Sequence, residues 1–355
     1  MKKQGLFVTF IVALFLMLSA CQTKETSTNA DKKGTEDPKK ETKKEEQQPK
    51  EENKEPEFAY TFPLTGKDTN EAVINRVVGI MVNNSPKARP QSGLHKADVV
   101  YEVLAEGRIT RFLALFQSQK PEKVGPVRSA RDYYVRLSNG FDAIYVHHGW
   151  SPSAKEMLLG GNIDSLNGLY YDGTLFKRVS FRKAPHNSYI TFDNILKESK
   201  KQKYELKQEI PSLPFLTKEE VKSIEGDPAK TLSISYGDYY KVEYKYQPEK
   251  GTYIRFSDSE QTVDRETETP IELANVMVVE AHHRVIDSVG RRQIDLQSGG
   301  SALLFQQGKV QQVSWVNKNG RIIPKVDGKV VAFAPGQIWI NLVPAPDMDK
   351  DVNWK

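Results

Sequence analysis

Val77-Val78-Gly79-Ile80-Met81-Val82-Asn83-Asn84-Ser85-Pro86 decides the fold class. Six residues without a polar side chain, most of them β-branched, run straight into a turn-forming cluster. So short and apolar a run predicts a buried strand ended by a loop. Working outward, Ala97 to Leu104 and Ile109 to Phe116 predict two more strands, joined as a hairpin through Glu106-Gly107-Arg108. Ser129 to Leu137 has helical character with Ser129 placed to cap it. Phe141 to His147 predicts another buried strand, and Ser153 to Leu159 a short helix. Strands and helices interleaved in this way predict a mixed α/β domain over 58–205.

A charged, Pro-containing stretch over 206–230 reads as a linker. Beyond it the pattern turns to β: Leu232 to Tyr236, Val242 to Tyr246, Tyr253 to Phe256, Val276 to Ile286, Ile294 to Leu296, Ala302 to Gln306, Val310 to Val316 and Ile338 to Val343. Gln307-Gly308, Asn319-Gly320 and Asp327-Gly328 supply the turns between them. The expected class is therefore α+β: an N-terminal mixed α/β domain, then a smaller, mainly antiparallel β domain over 231–355.

Upstream of residue 58 the chain changes character twice. Lys2 and Lys3 precede an apolar run from Leu6 to Leu18, and Leu18-Ser19-Ala20-Cys21 closes it on small residues. These are the three parts of an export signal over 1–20. The run is about 13 residues, short of the ~20 that a helix needs to span the hydrocarbon core. Leu-Ser-Ala-Cys resembles the lipobox, so Cys21 is the expected site of lipidation. It is the only cysteine in the chain, which rules out an internal disulfide and a free thiol nucleophile. Residues 21–57 are nearly all Lys, Glu, Gln, Pro, Thr, Asn and Asp; they cannot bury enough apolar surface to offset chain entropy and read as a tether. Its root-mean-square span would be on the order of 30–35 Å. The expected address is the outer face of the cell membrane, held by lipid.

The formal charge of +5 falls to +3 once Lys2 and Lys3 leave with the signal. That is too mild a charge to argue for nucleic acid. No Walker loop, dinucleotide fingerprint or nucleophile elbow occurs, and no histidine pair has helical ligand spacing, so neither a cofactor nor a metal is expected.

The stretch richest in chemistry is Lys123-Val124-Gly125-Pro126-Val127-Arg128-Ser129-Ala130-Arg131-Asp132. A turn, free amides at a helix start and guanidinium forks together suit phosphate or carboxylate. Arg128, Ser129, Arg131 and, from the hairpin, Arg111 are the candidate anion binders. An ordinary capped helix with locally paired arginines explains the same residues. Asp98, Glu102, His147, Arg182, His186 and Asn187 are candidates for a polar cleft, since strand ends open onto loops where such folds place ligands. The catalytic role of any of them is open.

Several of these motifs resemble a known family. Asn83 to Leu94, Ala97-Asp98-Val99-Val100-Tyr101-Glu102, Gly125 to Arg131, Arg182 to Asn187 and Pro335-Gly336-Gln337-Ile338-Trp339 are similar to the YerB family of Gram-positive lipoproteins. The resemblance runs over nearly all of the folded part. It implies an N-terminal domain, a smaller C-terminal domain and an envelope location, and it implies no activity. A shorter stretch, Arg128 to Val135 with an acidic strand upstream, is similar to the LytR-CpsA-Psr phosphotransferases. That likeness would make Arg128 and Arg131 a phosphate clamp and put Asp98 in an acidic metal-binding set, although no long lipid-binding helical half accompanies it. Two readings follow. One is a tethered envelope module binding an anionic ligand, a wall glycan or an envelope protein. The other is a phosphoryl-transfer or hydrolytic enzyme acting on a wall or lipid-phosphate intermediate, which requires Arg128, Arg131, Asp98 and His147 to line one cleft.

Overall fold

The computed structural model describes residues 58–238 and 240–355. The leader, Cys21 and the tether lie outside the described residues. Eleven strands make the spine of one mixed sheet: β1 (Val78–Asn83), β2 (Val99–Leu104), β3 (Thr110–Phe116), β4 (Ile144–His147), β5 (Ser165–Asn167), β6 (Asn275–Ala281), β7 (Gly300–Gln306), β8 (Lys309–Lys318), β9 (Arg321–Val326), β10 (Lys329–Val330) and β11 (Ile338–Pro344). Their order is β10-β9-β8-β7-β6-β11-β2-β3-β1-β4-β5, and Asp227–Pro228 pairs with β8 as a twelfth member. β11 lies between β6 and β2 and runs parallel to both. Strands from either side of residues 206–230 thus share one sheet, because the last long strand of the chain is inserted beside one of the first.

The largely apolar reading of β1, β2 and β3 has a direct cause: both faces of the sheet are covered. On one face Val78, Ile80, Val82, Phe112 and Phe116 pack with Leu232, Ile234 and Tyr244 of a second, six-stranded antiparallel sheet. The long strands of that sheet are Thr231–Ser235, Lys241–Gln247 and Thr252–Ser257. On the other face Met81, Leu113 and Leu115 meet the helices α1 (Asp132–Asn139) and α2 (Pro152–Leu159) through Tyr133, Val135, Ala154 and Leu158.

Some expected boundaries move. The helix expected from Ser129 begins at Asp132; Arg131 is its N-cap residue and offers no side-chain cap. Ser129 instead donates its hydroxyl to the His148 carbonyl at 3.0 Å, which draws it into the loop. The strand expected from Val276 to Ile286 breaks after Ala281, and His283–Val285 pairs separately with Arg292–Ile294. A short helix, α3 (Gly168–Tyr171), and a longer one, α4 (Phe192–Lys201), were not anticipated. The second is N-capped by Thr191, whose hydroxyl accepts from the Asn194 amide at 3.2 Å.

Candidate functional site

β1, β4 and β5 run parallel, so Asn83, His147 and Asn167 all end on one edge of the sheet. The Gly125–Ala130 loop is laced across that edge by backbone hydrogen bonds. Asn83 N donates to Pro126 O (2.9 Å), Arg128 N to Met81 O (3.0 Å), His148 N to Arg128 O (2.9 Å), and Ala130 N to Gly149 O (2.9 Å). Gly125 lies against the strand Ser188–Thr191: a Cβ there would sit 2.6 Å from the Tyr189 ring, so only glycine fits. The loop is therefore built into the sheet, and Arg128 projects from a fixed backbone.

Arg128 is half-buried, and its Nε is buried without a hydrogen-bond partner. Among the described residues its one contact to an acceptor is a long one, Nη1 to the Pro185 carbonyl at 3.5 Å. Burial first, then the neighbouring charges of Arg111 and Arg178, push its pKa down to about 10. Around it stand His148, His186, Asn187 and Arg178. His148 Nδ1 is 2.8 Å from Ser188 Oγ, and His186 Nδ1 is 2.8 Å from Asn83 Nδ2. Arg178 donates to Asn187 Oδ1 (3.0 Å), lies 3.3 Å from His148 Nε2, and is itself neutralised by Asp172 at 2.8 Å. Burial, followed by the surrounding cations, lowers the pKa of both His148 and His186. This corner holds more positive charge than its own carboxylates balance.

The other candidates are employed elsewhere. Glu106 accepts from Arg111 at 2.6 Å and from Arg131, so both arginines are held in a triad beneath the loop. Arg111 also donates to the Ser129 carbonyl at 2.9 Å and thereby steadies the residue next to Arg128. His147 is fully buried, its Nδ1 on the Gly149 carbonyl at 2.8 Å, and burial drops its pKa to about 4. Arg182 donates to the Pro90 carbonyl (2.6 Å) and to the Tyr189 hydroxyl.

Asp98 and Glu102 do not join the corner. Asp98 accepts from the amides of Gln117 (2.5 Å) and Ser118 (2.9 Å), past the far end of β3, whereas Arg111 lies at its start. Six residues of strand separate Gln117 from Arg111, about 20 Å. Asp98 thus sits at the opposite edge of the sheet from Arg128. Glu102 is sealed between the two sheets: Arg255 Nη2 is 2.8 Å from its Oε2, Trp339 Nε1 donates to the same oxygen at 3.0 Å, and Thr110 and Tyr240 donate to Oε1, each at 2.9 Å. The single cleft of Arg128, Arg131, Asp98 and His147 is not formed. Among the described residues no group of three His, Asp or Glu could hold a metal.

Of the candidates above, then, the fold assembles Arg128, Ser129, His186 and Asn187; His148, next to His147 at the end of the Phe141 strand, joins them, and Arg178 is new. Arg178 carried no local signal, because only the antiparallel pairing of Phe176–Arg178 with Ser188–Thr191 brings it to the corner. A cavity of about 690 Å³ lies elsewhere, lined by Arg108, Asp238, Tyr240, Lys241 and Asp258 among others. Within it Arg108 pairs with Asp238 at 2.9 Å and Asp258 with Arg89 at 2.7 Å, so its charge is largely spent internally.

Known proteins match most of the chain. Residues 64–205 match the family described as protein of unknown function (DUF3048), N-terminal domain, and residues 232–340 match its C-terminal domain. A Bacillus subtilis (strain 168) protein named "Putative lipoprotein YerB" is 46% identical over 351 residues, 98% of this chain and 97% of its own length. The crystal structure of YerB protein from Bacillus subtilis superposes with a TM-score of 0.77 at 51% identity, covering 83% of this chain and 99% of that one.

Proposed function

The chain belongs to the DUF3048 family, and from that premise we propose that it is a lipid-anchored envelope protein that binds an anionic group at the Arg128 corner. The anchor rests on Leu18-Ser19-Ala20-Cys21 and on the lipoprotein name of the relative that aligns over almost the full length. No helix among the described residues is long and apolar enough to cross a membrane. Two or three acyl chains on Cys21 would hold the protein firmly, each buried methylene contributing ~0.8 kcal/mol.

The observation that carries the binding reading is Arg128 itself. A half-buried guanidinium with an unpartnered Nε, crowded by Arg111 and Arg178, is destabilised until an anion arrives. Phosphate or carboxylate would satisfy its fork bidentately. His148 and His186 would donate once protonated, so binding is expected to take up protons and to tighten as the pH falls.

Titration of the full chain with inorganic phosphate, followed calorimetrically, tests this. Arg128→Ala should cost about 1.5–3 kcal/mol of binding, roughly a 10- to 100-fold weaker Kd. Equal affinity of wild type and variant would overturn the assignment.

A further inference from the structure

Beside the Arg128 corner the same sheet edge carries a ladder of rings that leads out of the core. Tyr145 and His147 stack at 5.3 Å between centroids with 29° between planes. His147 meets Trp150 at 5.6 Å, and Trp150 meets Tyr170 edge-on at 6.0 Å and 72°. The inner rungs are fully buried, whereas Tyr170 is 68% exposed and its neighbour Leu169 55%. The outermost ring is therefore presented on a rigid base.

Platform and corner are one construction. Asn167 Oδ1 accepts from the amides of Gly149 and Leu169, each at 3.0 Å, clamping the His148–Trp150 loop to α3. Gly168 lies so close to His148 that a Cβ would fall 2.4 Å from the imidazole Nδ1. Ala130 and Trp150 pair as a parallel bridge. His148 touches both halves: its amide donates to the Arg128 carbonyl at 2.9 Å, and its ring lies against Gly168 at the start of α3.

A cation beside an aromatic face suits a ligand with an acidic group and a neighbouring surface of C–H bonds. A sugar ring has this character: its C–H faces carry slight positive charge that rests on the negative face of an aromatic ring, and its hydroxyls lie around the rim. Ser129 and Asn187 border the corner with hydroxyl and carboxamide groups that can meet such hydroxyls. We propose that the Arg128 corner and the Trp150–Tyr170 platform together bind an acidic glycan, its phosphate or carboxylate at Arg128 and an adjoining sugar ring against Tyr170. This rests on the anion-binding reading of Arg128 and adds the class of molecule that bears the anion.

Calorimetry on the full chain in a polyoxyethylene detergent separates the two claims. The titrants are inorganic phosphate, acetate, glucose 6-phosphate, glucuronate, maltose and a tetra-aspartate peptide, against wild type, Tyr170→Ala and Arg128→Ala. A sugar acid should bind about 3- to 10-fold more tightly than its bare anion. Tyr170→Ala should erase that increment and leave bare-anion affinity unchanged, while Arg128→Ala should weaken both. The larger gain, with glucose 6-phosphate or with glucuronate, tells which acidic group the glycan carries. The glycan assignment falls if the sugar adds nothing, if the increment survives Tyr170→Ala, or if maltose or the peptide binds as tightly as the sugar acids. If bare anions bind Arg128→Ala as well as wild type, or bind neither, the anion reading itself falls, and the glycan assignment with it.

Discussion

Arg255→Met should be among the most destabilising single changes in this protein, and the size of the effect follows from its surroundings. Arg255 and Glu102 are both fully buried, 153 residues apart in sequence and 2.8 Å apart in space. The guanidinium also donates to Ser257 (2.7 Å), Thr262 (2.8 Å) and Tyr240 (2.7 Å), and its Cζ lies 4.7 Å from the Trp339 ring centroid. Methionine fills similar space but leaves a carboxylate in the gap between two sheets. Breaking a buried pair from one side costs about 3–5 kcal/mol. The lower end applies here, because Trp339, Thr110, Tyr240 and Asn84 still donate to Glu102. Urea unfolding followed by tryptophan fluorescence reads this as a lower midpoint at unchanged slope. Adding Glu102→Gln removes the stranded charge while its carbonyl oxygen still accepts, so the double variant should regain on the order of 1–3 kcal/mol over Arg255→Met. A loss under about 1 kcal/mol in the single variant, or no recovery in the double, would refute the idea that this pair ties the two sheets together.

Acid should destabilise the fold in part through His147. Its pKa of about 4 lies below the ordinary 6.5, so the folded state favours the neutral ring. The stability this supplies is complete above pH 6.5 and is lost as the pH falls toward 4, up to about 3 kcal/mol. His147→Phe should therefore flatten the fall of Tm between pH 6.5 and 4, and parallel curves for variant and wild type would exclude this role. Gly168→Ala is expected to drive the His148 ring off Ser188 and to cost about 1–3 kcal/mol, since the added methyl meets the imidazole at 2.4 Å. An unchanged Tm together with an unchanged His148 resonance would show that α3 does not position His148.

Much of the β architecture was legible along the chain. Val78–Asn83, Thr110–Phe116 and Ile338–Pro344 stand close to where their apolar runs place them, because a strand covered on both faces is made mostly of apolar side chains and ends at a turn. The helix start was not legible. Ser129 has the residue type of a cap, but its hydroxyl is turned to donate to the His148 carbonyl, which is near only in three dimensions, and the helix starts at Asp132 instead. Arg128, Ser129, His186 and Asn187 could be picked out as polar loop residues, and His148 as the residue after His147 at a strand end, whereas Arg178 enters the corner only because its strand pairs with Ser188–Thr191 and sets it 3.3 Å from His148.

By itself the sequence determined which segments could become strands, where turns fall and which residues were candidates for chemistry, since these follow from backbone geometry and side-chain polarity within a few residues. Tertiary structure alone decided what each charge does. β11 slides between β2 and β6, and the two sheets then close over Glu102 and give it Arg255 as partner. Glu106 claims Arg111 and Arg131, and no carboxylate among the described residues pairs with Arg128. Coulomb and hydrogen-bond energies depend on separations of a few ångströms. Those separations are set by the order in which distant strands assemble, so the difference between a structural arginine and a ligand-binding one cannot be read before the chain is folded.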